Sequence, residues 1–248
     1  MTDTVIYPNE KIEDLQVGGL KIIQQTDGYR FTTDAVLLAN FVKEVKGKKV
    51  VELGSGSAVI STLIAYKSKP KSVSAVEIQP SLYEMSKRTV EMNGQGETIK
   101  IFNCDIKTCH EILGGNYDAV VSNPPYIKVG SGLPIENETK AIARQEIKIT
   151  LSELIETASK LLTSKGSLYL VHQTERLSEI FCEMTKNKIE PKEICFIRPR
   201  INQTPNLVLI RGRKNGGLGL KILPDIVIFD DYGKYTKTVS DLYGERND

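Results

Sequence analysis

The sequence of 248 residues predicts an α/β fold with a doubly wound, mostly parallel sheet and an antiparallel edge strand. From residue 49 onward, short apolar runs alternate with helical stretches, which is the pattern of parallel strands joined by right-handed crossovers. Two later apolar runs lie too close together for such a crossover and therefore predict the antiparallel strand. With 40% hydrophobic and 26% charged residues, the composition is that of a globular domain rather than a disordered chain.

The predicted elements follow in order along the chain. A hairpin comes first, because two short apolar runs, Leu15–Val17 and Leu20–Gln24, straddle Gly18-Gly19. A helix over Ala35–Val42 is apolar on nearly every side and should be buried. The predicted strands of the sheet are Lys49–Leu53, Ser72–Val76, Ile99–Cys104, Ala119–Ser122 and Ser167–His172. The predicted helices between them are Ile60–Tyr66, Leu82–Asn93 and Leu151–Leu162.

The last part of the chain predicts an edge and a tail. Strands at Glu193–Ile197 and Leu207–Arg211 should pair antiparallel at the edge of the sheet. Beyond residue 213, a turn at Asp231-Tyr232-Gly233 and a returning strand at Tyr235–Val239 predict a small β-hairpin packed on the domain. We therefore divide the chain into an N-terminal hairpin and helix (1–45), a main domain (46–213) and a tail (214–248).

Composition excludes several classes of protein. Four cysteines without a C-x-x-C pair and two distant histidines do not form a zinc site, so no metal is expected. The first residues lack the order of a signal peptide, and no apolar run reaches the ~18 residues that span a membrane, which favours a cytoplasmic protein. Net charge is only +2, but the stretch Lys186–Lys221 is rich in Lys and Arg. This stretch is either a solvated face or a phosphate-binding surface.

A glycine-rich turn follows the first strand of the main domain. Gly54 and Gly56 allow the backbone to approach a ligand, although this pattern alone is equally typical of a tight turn. Glu77 ends the second strand, where a carboxylate can accept hydrogen bonds from both hydroxyls of a ribose. Together these two features favour a cofactor that contains adenosine.

The residues around this turn indicate which cofactor. The dinucleotide fingerprint requires glycine at the position of Val59, where a branched side chain would crowd a pyrophosphate. Acidic Glu52 also opposes a polyanion and suits a ligand with an ammonium group. Asp105, after the third strand, can accept from an adenine amino group, although a turn aspartate is equally consistent. S-adenosylmethionine, without a metal, is the cofactor that fits.

The most specific motif is Asn123-Pro124-Pro125-Tyr126, directly after an apolar strand. Two prolines fix φ and remove two backbone donors, which leaves a rigid loop of acceptors. The Asn123 carboxamide and the Pro124 carbonyl can accept both hydrogens of one planar –NH2 group, which frees its lone pair to attack a methyl group. Tyr126 can stack on a planar substrate. An edge turn with a core tyrosine is the competing interpretation.

These residues resemble the N-P-P-Y amino-methyltransferases. The resemblance extends over essentially the whole chain to the tRNA(Val) adenine-N6 methyltransferase family. The segments that carry it are Gly28 to Leu38, Ala143-Arg144-Gln145-Glu146, Pro205 to Leu209 and Gly219 to Pro224. Two positions depart from the family pattern, since Ala58 stands where a third glycine is common and Gln145 stands where histidine is usual.

The resemblance implies a seven-stranded Rossmann-like methyltransferase sheet and N6-methylation of the adenine immediately 3′ of the anticodon. It implies catalytic roles for Asn123, Pro124 and Tyr126. The cofactor residues that it implies, with the segment from Tyr29 to Asp34 covering the pocket, are Tyr29, Arg30, Thr32, Asp34, Glu52, Gly54, Gly56, Glu77, Ile78, Asp105, Ile106 and Asn123.

A tRNA partner requires that the target base turn out of its stack and that cations hold the phosphates. The cations predicted for this role are Arg198, Arg200, Arg211, Arg213 and Lys214. His172, at the end of a strand, is interpreted as a structural histidine rather than a catalytic base. No membrane and no obligate protein partner is indicated.

Two other functions remain open from the sequence. A glutamine N5-methyltransferase that acts on release factors uses the same loop on an amide nitrogen, but the N-terminal region here is short for that group. A cofactor-sensing, RNA-binding protein without turnover is the other alternative, motivated by Ala58.

Overall fold

The computed structural model describes residues 4–26, 32–125 and 149–244. Its strands are β1 (Glu10–Asp14), β2 (Lys21–Gln25), β3 (Lys49–Leu53), β4 (Ser72–Glu77), β5 (Ile99–Asn103), β6 (Tyr117–Ser122), β7 (Leu162–Gln173), β8 (Ile189–Arg198), β9 (Leu207–Lys214), β10 (Lys221–Ile222) and β11 (Ile226–Val227). Its helices are α1 (Thr33–Phe41), α2 (Val59–Ser68), α3 (Pro80–Met92), α4 (Cys109–Leu113), α5 (Leu151–Leu161), α6 (Leu177–Lys186) and α7 (Lys237–Tyr243), with a single 3-10 turn at Thr174–Arg176.

Seven long strands form the central sheet in the order β5-β4-β3-β6-β7-β9-β8. Neighbouring strands from β5 to β7 are parallel, and β9 is antiparallel to both β7 and β8. The predicted α/β fold with a mostly parallel sheet is therefore confirmed, as is the antiparallel pairing of β8 with β9. The antiparallel strand β9 is not the outermost one, because β8 pairs with its far side and the short tail strands pair with β8 in turn.

Helices cover both faces of this sheet, as the doubly wound pattern requires. Helices α1, α2 and α7 share one hydrophobic core with the N-terminal hairpin and one face of the sheet. Helices α4, α5 and α6 bury their apolar sides on the other face. Helices α4 and α6 have no counterpart among the elements predicted from the sequence. Within the described ranges, no helix has the length and apolarity needed to span a membrane.

The N-terminal hairpin is antiparallel as predicted, but its first strand was placed wrongly. β1 is Glu10–Asp14, a run of mostly charged residues without an apolar alternation. Leu15, Val17 and Leu20 lie in the connection, where the Leu15 N–H donates to the Leu20 carbonyl at 2.9 Å. Their side chains are buried in the core. Apolar residues here mark a buried turn rather than a strand.

The tail also differs from the prediction. The two short strands β10 and β11 each pair parallel with β8, so the tail extends the sheet. Only one antiparallel bridge, Phe229 with Tyr235, remains of the expected hairpin. The predicted strand at Tyr235–Val239 is wrong, because α7 occupies most of it. Val239 and Tyr243 are one helical turn apart and both are buried, which favours the helix.

Candidate functional site

The predicted site residues follow strands that end at the same edge of the sheet. Leu53 at the end of β3 pairs with Val76 of β4 and with Ser122 at the end of β6. Glu77 pairs with Asn103 at the end of β5. The carboxyl edge of the sheet thus carries the glycine turn, Glu77, the residues after β5 and the loop after β6, which is the usual ligand-binding edge of such sheets.

The glycine turn folds over the end of β4. Gly54 and Gly56 have φ of +77° and +55°, angles that L side chains rarely adopt. The N–H groups of Gly54 and Ser55 both donate to the Val76 carbonyl at 2.9 Å. Ile106 lies beside this turn, with its Cδ1 3.8 Å from where a Cβ on Gly54 would stand. The turn therefore presents an exposed backbone bounded by an apolar side chain.

Ala58 has a backbone conformation that glycine adopts more readily than any other residue. It is the N-cap of α2 and has a left-handed backbone, with φ of 62° and ψ of 30°. The left-handed conformation costs an L residue about 1–2 kcal/mol. Ala58 is fully buried, so its methyl group returns part of that cost through packing.

Glu77 is held against the glycine turn. The side chain is 3% exposed. Its Oε2 accepts a hydrogen bond from the Gly56 N–H at 2.8 Å, and its Oε1 accepts one from the Gln79 N–H at 2.9 Å. Burial raises the pKa of Glu77, while these backbone donors oppose the rise. The Gln79 side-chain amide also donates to Oε1, at 3.4 Å, so Oε2 is the oxygen better placed to accept a further hydrogen bond from a ligand hydroxyl.

Glu52 connects β3 to the start of α2. Its Oε2 accepts from the Ser61 N–H at 2.9 Å and from the Ser61 hydroxyl, so it caps the helix from within the sheet. Burial raises the pKa of Glu52 to about 8, and the charge of Glu77 adds to the rise. Its Oε1 has no hydrogen-bond partner among the described residues. The carboxyl group therefore has a structural role in α2 and one oxygen left for a cationic ligand.

Ser55 was not predicted as a site residue, yet it bears on the fit of a cofactor. Its side-chain oxygen is buried within the glycine turn and has no hydrogen-bond partner in the described structure. A buried polar atom without a partner costs about 1–3 kcal/mol, which a ligand that bonds to it would recover. Together with the acceptors Glu77 and Glu52, this hydroxyl fits the polar groups of S-adenosylmethionine.

Two further predicted cofactor residues follow β4 and β5 at the same edge, and two others open α1. The half-buried Asp105 accepts from the Lys107 N–H at 2.9 Å, which fixes the turn after β5. Ile78 follows Glu77 directly, and its carbonyl accepts from the Asn103 side chain at 3.0 Å. Thr32 and the buried Asp34 open α1, where the Thr32 hydroxyl donates to the Asp34 carboxylate.

The loop after β6 begins at the carboxyl edge as predicted. Asn123 is half-buried and Pro124 is buried, whereas Pro125 is exposed. Just before the loop, the Ser122 hydroxyl donates to the Leu53 carbonyl at 2.8 Å, which joins β6 to the strand that carries the glycine turn. The remaining predicted positions Tyr29, Arg30, Tyr126 and Gln145 lie outside the described residues.

A cavity of about 360 Å³ adjoins this loop. It is bounded by the two prolines of the loop, the end of β7, the start of α5 and the turn before α6. The residues that line it are Pro124, Pro125, Ile149, Thr150, Leu151, Ser152, Leu154, His172, Arg176 and Glu179. Its volume lies within the range of small-molecule sites.

The polar side of the cavity is formed by residues that the motifs did not indicate. His172 is 1% exposed, and burial together with the charge of Arg176 lowers its pKa to about 4. Its Nδ1 accepts from the Gln173 N–H at 2.8 Å, so the neutral ring carries its proton on Nε2. Arg176 donates from two nitrogens to the Glu179 carboxylate. The neutral imidazole of His172 and the ion-paired guanidinium of Arg176 thus line the cavity beside Pro124.

The cations predicted to bind RNA do not form one surface. β9 runs antiparallel to β7, so Arg213 and Lys214 lie toward the amino ends of the parallel strands, away from Asn123. Arg211 lies further along, level with Tyr169 of β7. They are also engaged within the fold. Their partners are the carboxylates of Glu44 and Glu193 for Arg211, the Lys165 carbonyl for Arg213, and the Ser159 and Leu162 carbonyls for Lys214.

The other two cations lie at the carboxyl edge. Arg198 ends β8 and pairs with Asp225 at 2.6 Å. Arg200 follows in the loop between β8 and β9 and is exposed. Among the described residues, no group of three or more His, Cys, Asp or Glu side chains is arranged to hold a metal ion.

Comparison with curated proteins finds relatives named tRNA1(Val) (adenine(37)-N6)-methyltransferase. The protein from Tolumonas auensis is 25% identical over 179 residues, which are 72% of this chain and 73% of that protein. The protein from Yersinia pestis (strain Pestoides F) is 32% identical over 140 residues, which are 56% of each chain. The match thus spans little more than half of the Yersinia protein. These similarities agree with the family resemblance of the sequence.

Solved methyltransferase structures share the fold. A predicted O-methyltransferase from Agrobacterium tumefaciens superposes with a TM-score of 0.68 at 21% identity, covering 85% of this chain and 95% of that chain. A tRNA methyltransferase from M. jannaschii superposes with a TM-score of 0.58 at 13% identity, covering 84% and 58%. The sequence profile of the methyltransferase small domain family matches residues 31–187. Because this match covers more than half of the chain, the protein belongs to the methyltransferase small domain family.

Proposed function

We propose that the protein transfers a methyl group from S-adenosylmethionine to N6 of an adenine in tRNA, namely the adenine immediately 3′ of the anticodon in a valine tRNA. The family supports methyl transfer, and the names of the curated relatives support the tRNA substrate. A tRNA substrate also favours the cytoplasm as the location. The observation that carries the proposal is that the glycine turn with Glu77 and the Asn123-Pro124-Pro125 loop end on adjacent strands at one edge.

The residues of β3, β4 and β5 bind the cofactor in this proposal. When bound, the cofactor supplies a methyl group on a positively charged sulfur. Glu77 accepts from the ribose hydroxyls while its contact with Gly56 keeps the turn in place. The free oxygen of Glu52 accepts from the ammonium group, whose charge favours the ionised carboxylate. Ser55 supplies a buried hydroxyl at the same turn.

The loop after β6 orients the substrate. The Asn123 carboxamide oxygen and the Pro124 carbonyl accept the two hydrogens of the adenine amino group. These two hydrogen bonds favour a pyramidal nitrogen. Its lone pair is then less delocalised into the adenine ring and is available to attack the methyl group. Pro124 and Pro125 contribute no N–H donors, so the backbone of these two residues offers only carbonyl acceptors.

Proton removal requires no dedicated base. The methylated amino group is a much stronger acid than the starting amine and releases its proton to water. His172 is neutral at pH 7, and its Nδ1 already accepts from the Gln173 N–H, so it is not needed for this step.

The test is methyl transfer with defined substrates. The protein is incubated with labelled S-adenosylmethionine and unmodified valine tRNA, and the nucleosides are then analysed. We expect N6-methyladenosine, and we expect none in a matched transcript with guanine in place of the target adenine. Labelling of a release factor instead of tRNA would contradict the proposal, as would cofactor binding by calorimetry without any turnover on tRNA.

A further inference from the structure

A rim of exposed side chains borders the candidate site on the side of β8. It consists of the loop between β8 and β9 (199–206) and the turn in the tail (230–235), and is called the tail rim below. The Phe229 N–H donates to the Pro199 carbonyl at 2.9 Å, which joins the two segments. The Arg200 Nη2 lies 3.8 Å from where a Cβ on Gly233 would stand. Two segments distant in sequence therefore form one surface.

The tail rim reaches the candidate site at both ends. At one end, the Tyr235 hydroxyl lies 3.1 Å from the Thr33 hydroxyl, next to the segment that opens α1. At the other end, the Thr174 hydroxyl donates to the Pro205 carbonyl at 3.0 Å. Thr174 starts the 3-10 turn that carries Arg176, one of the residues lining the cavity beside Pro124. The rim is thus continuous with the opening of the site.

Aromatic and cationic side chains are exposed on this rim. Tyr232 is 89% exposed. Arg200 and Lys234 are exposed as well, and neither forms an ion pair within the described residues. Asp230 is occupied within the turn, since its Oδ1 accepts from the N–H groups of Tyr232 and Lys234 at 2.9 Å each. The negative charge of Asp231, in the same turn, offsets one of these two positive charges. We therefore expect base stacking on the Tyr232 ring to contribute more to binding than charge does.

We propose that the tail rim binds the single-stranded RNA that flanks the target adenine, with Tyr232 stacked on a neighbouring base and Arg200 on a phosphate. The inference rests on the proposed function and adds to it the surface that holds the RNA loop. An exposed tyrosine beside an unpaired arginine is the combination that binds single-stranded nucleic acid without reading its sequence. Because the rim contacts residues beside the site, such contacts would fall on nucleotides that flank the reacting base.

The test measures RNA affinity and its salt dependence with an anticodon stem-loop of valine tRNA in the presence of S-adenosylhomocysteine. We expect Tyr232→Ala to weaken binding about tenfold, since base stacking on an aromatic ring is of that size. Tyr232→Phe keeps the ring and should bind as the wild type does. We expect Arg200→Gln to weaken binding about threefold and to lower the salt slope by about one. The matched control is Lys48→Gln, an exposed cation directly before β3 at the opposite edge, which should change neither quantity.

Turnover separates this inference from the proposed function. Tyr232→Ala should raise KM for the RNA while kcat at saturating RNA and cofactor affinity stay unchanged. RNA affinity equal to that of the wild type in both Tyr232→Ala and Arg200→Gln, with normal methylation of tRNA, would overturn the tail rim alone. Failure of the wild-type protein to bind or methylate RNA would overturn both proposals. Methylation of a release factor that depends on Tyr232 would assign the rim to a protein partner and also overturn the inference.

Discussion

In the half of the site formed by β3, β4 and β5, the acidic side chains Glu52 and Glu77 are buried and held by backbone N–H groups. In the half formed by β6 and β7, the side chains line a cavity of about 360 Å³ and are held largely by one another. Glu77 illustrates the first half through its bonds to Gly56 and Gln79. Arg176 illustrates the second through its pair with Glu179. We call them the cofactor half and the substrate half.

The difference follows from what each half must do in the proposed reaction. A cofactor of fixed structure can be bound by groups fixed by the backbone, because nothing in that half has to adapt. A base that enters from an RNA loop requires space, so the substrate half keeps a cavity and an exposed rim. Variants in the two halves should therefore affect different steps.

The largest expected effect belongs to the substrate half. Asn123→Ala removes the acceptor that we propose for the amino group, and turnover should fall at least about a hundredfold, as when one catalytic hydrogen-bonding group is lost. Cofactor affinity measured by calorimetry should stay within about twofold. Asn123→Asp keeps an acceptor oxygen and should retain more activity than the alanine variant. Loss of cofactor binding in Asn123→Ala would contradict the division between the halves.

Glu77→Ala tests the cofactor half. The variant removes the proposed partner of the ribose and the acceptor of the Gly56 N–H, so cofactor Kd should rise about 10- to 100-fold, the range of hydrogen bonds to a charged group. At saturating cofactor, kcat should be nearly unchanged. Glu84→Gln, an exposed carboxylate on α3, is the matched control and should leave the Kd unchanged. A lower kcat with an unchanged Kd would place Glu77 in the substrate half instead.

The sequence predicts the cofactor half better than the substrate half, for a physical reason. Gly54, Glu77 and Asp105 each lie at the carboxyl end of a parallel strand or within two residues of it, so the order of strands alone brings them to one edge. Arg176 reaches the cavity beside Pro124 on a 3-10 turn that no sequence pattern predicted, whereas His172 ends a strand that was predicted. Contacts between distant segments leave no short motif.

Strand direction explains the placement of the predicted RNA-binding cations. A pattern of apolar residues indicates that 207–214 is a strand, but which end reaches the site depends on its direction. Because β9 is antiparallel, Arg213 lies at the far edge while Arg200, in the preceding loop, lies at the near one. The prediction of one basic surface rested on the closeness of these cations in the sequence, which does not determine the edge at which each one lies.

A third prediction concerns pH and the buried carboxyl group of Glu52. The folded protein raises the pKa of Glu52 from 4.5 to about 8, so between these values the folded state binds a proton that the unfolded state does not. The free energy of unfolding should therefore fall as pH rises through this window, and Glu77 should act in the same direction. Glu52→Gln should reduce that fall by about 2 kcal/mol in urea unfolding between pH 5 and pH 8.

The control for this measurement is again Glu84→Gln, which should follow the wild-type curve. Saturating S-adenosylmethionine should also flatten the curve of the wild type, because a bound ammonium group would favour ionised Glu52. An identical pH dependence in Glu52→Gln and wild type would contradict the buried, protonated state of this residue.

The smallest expected effect is at Ala58, the residue of the cofactor half that begins α2. Ala58→Gly relieves the left-handed backbone at φ of 62° but removes a fully buried methyl group. Because these two effects nearly cancel, the free energy of unfolding should change by at most about 1 kcal/mol. Cofactor Kd should change less than twofold, since the turn already has the backbone that glycine would adopt. A large gain in cofactor affinity would mean instead that the alanine holds the turn away from its binding geometry and that the cofactor half is not fixed in advance.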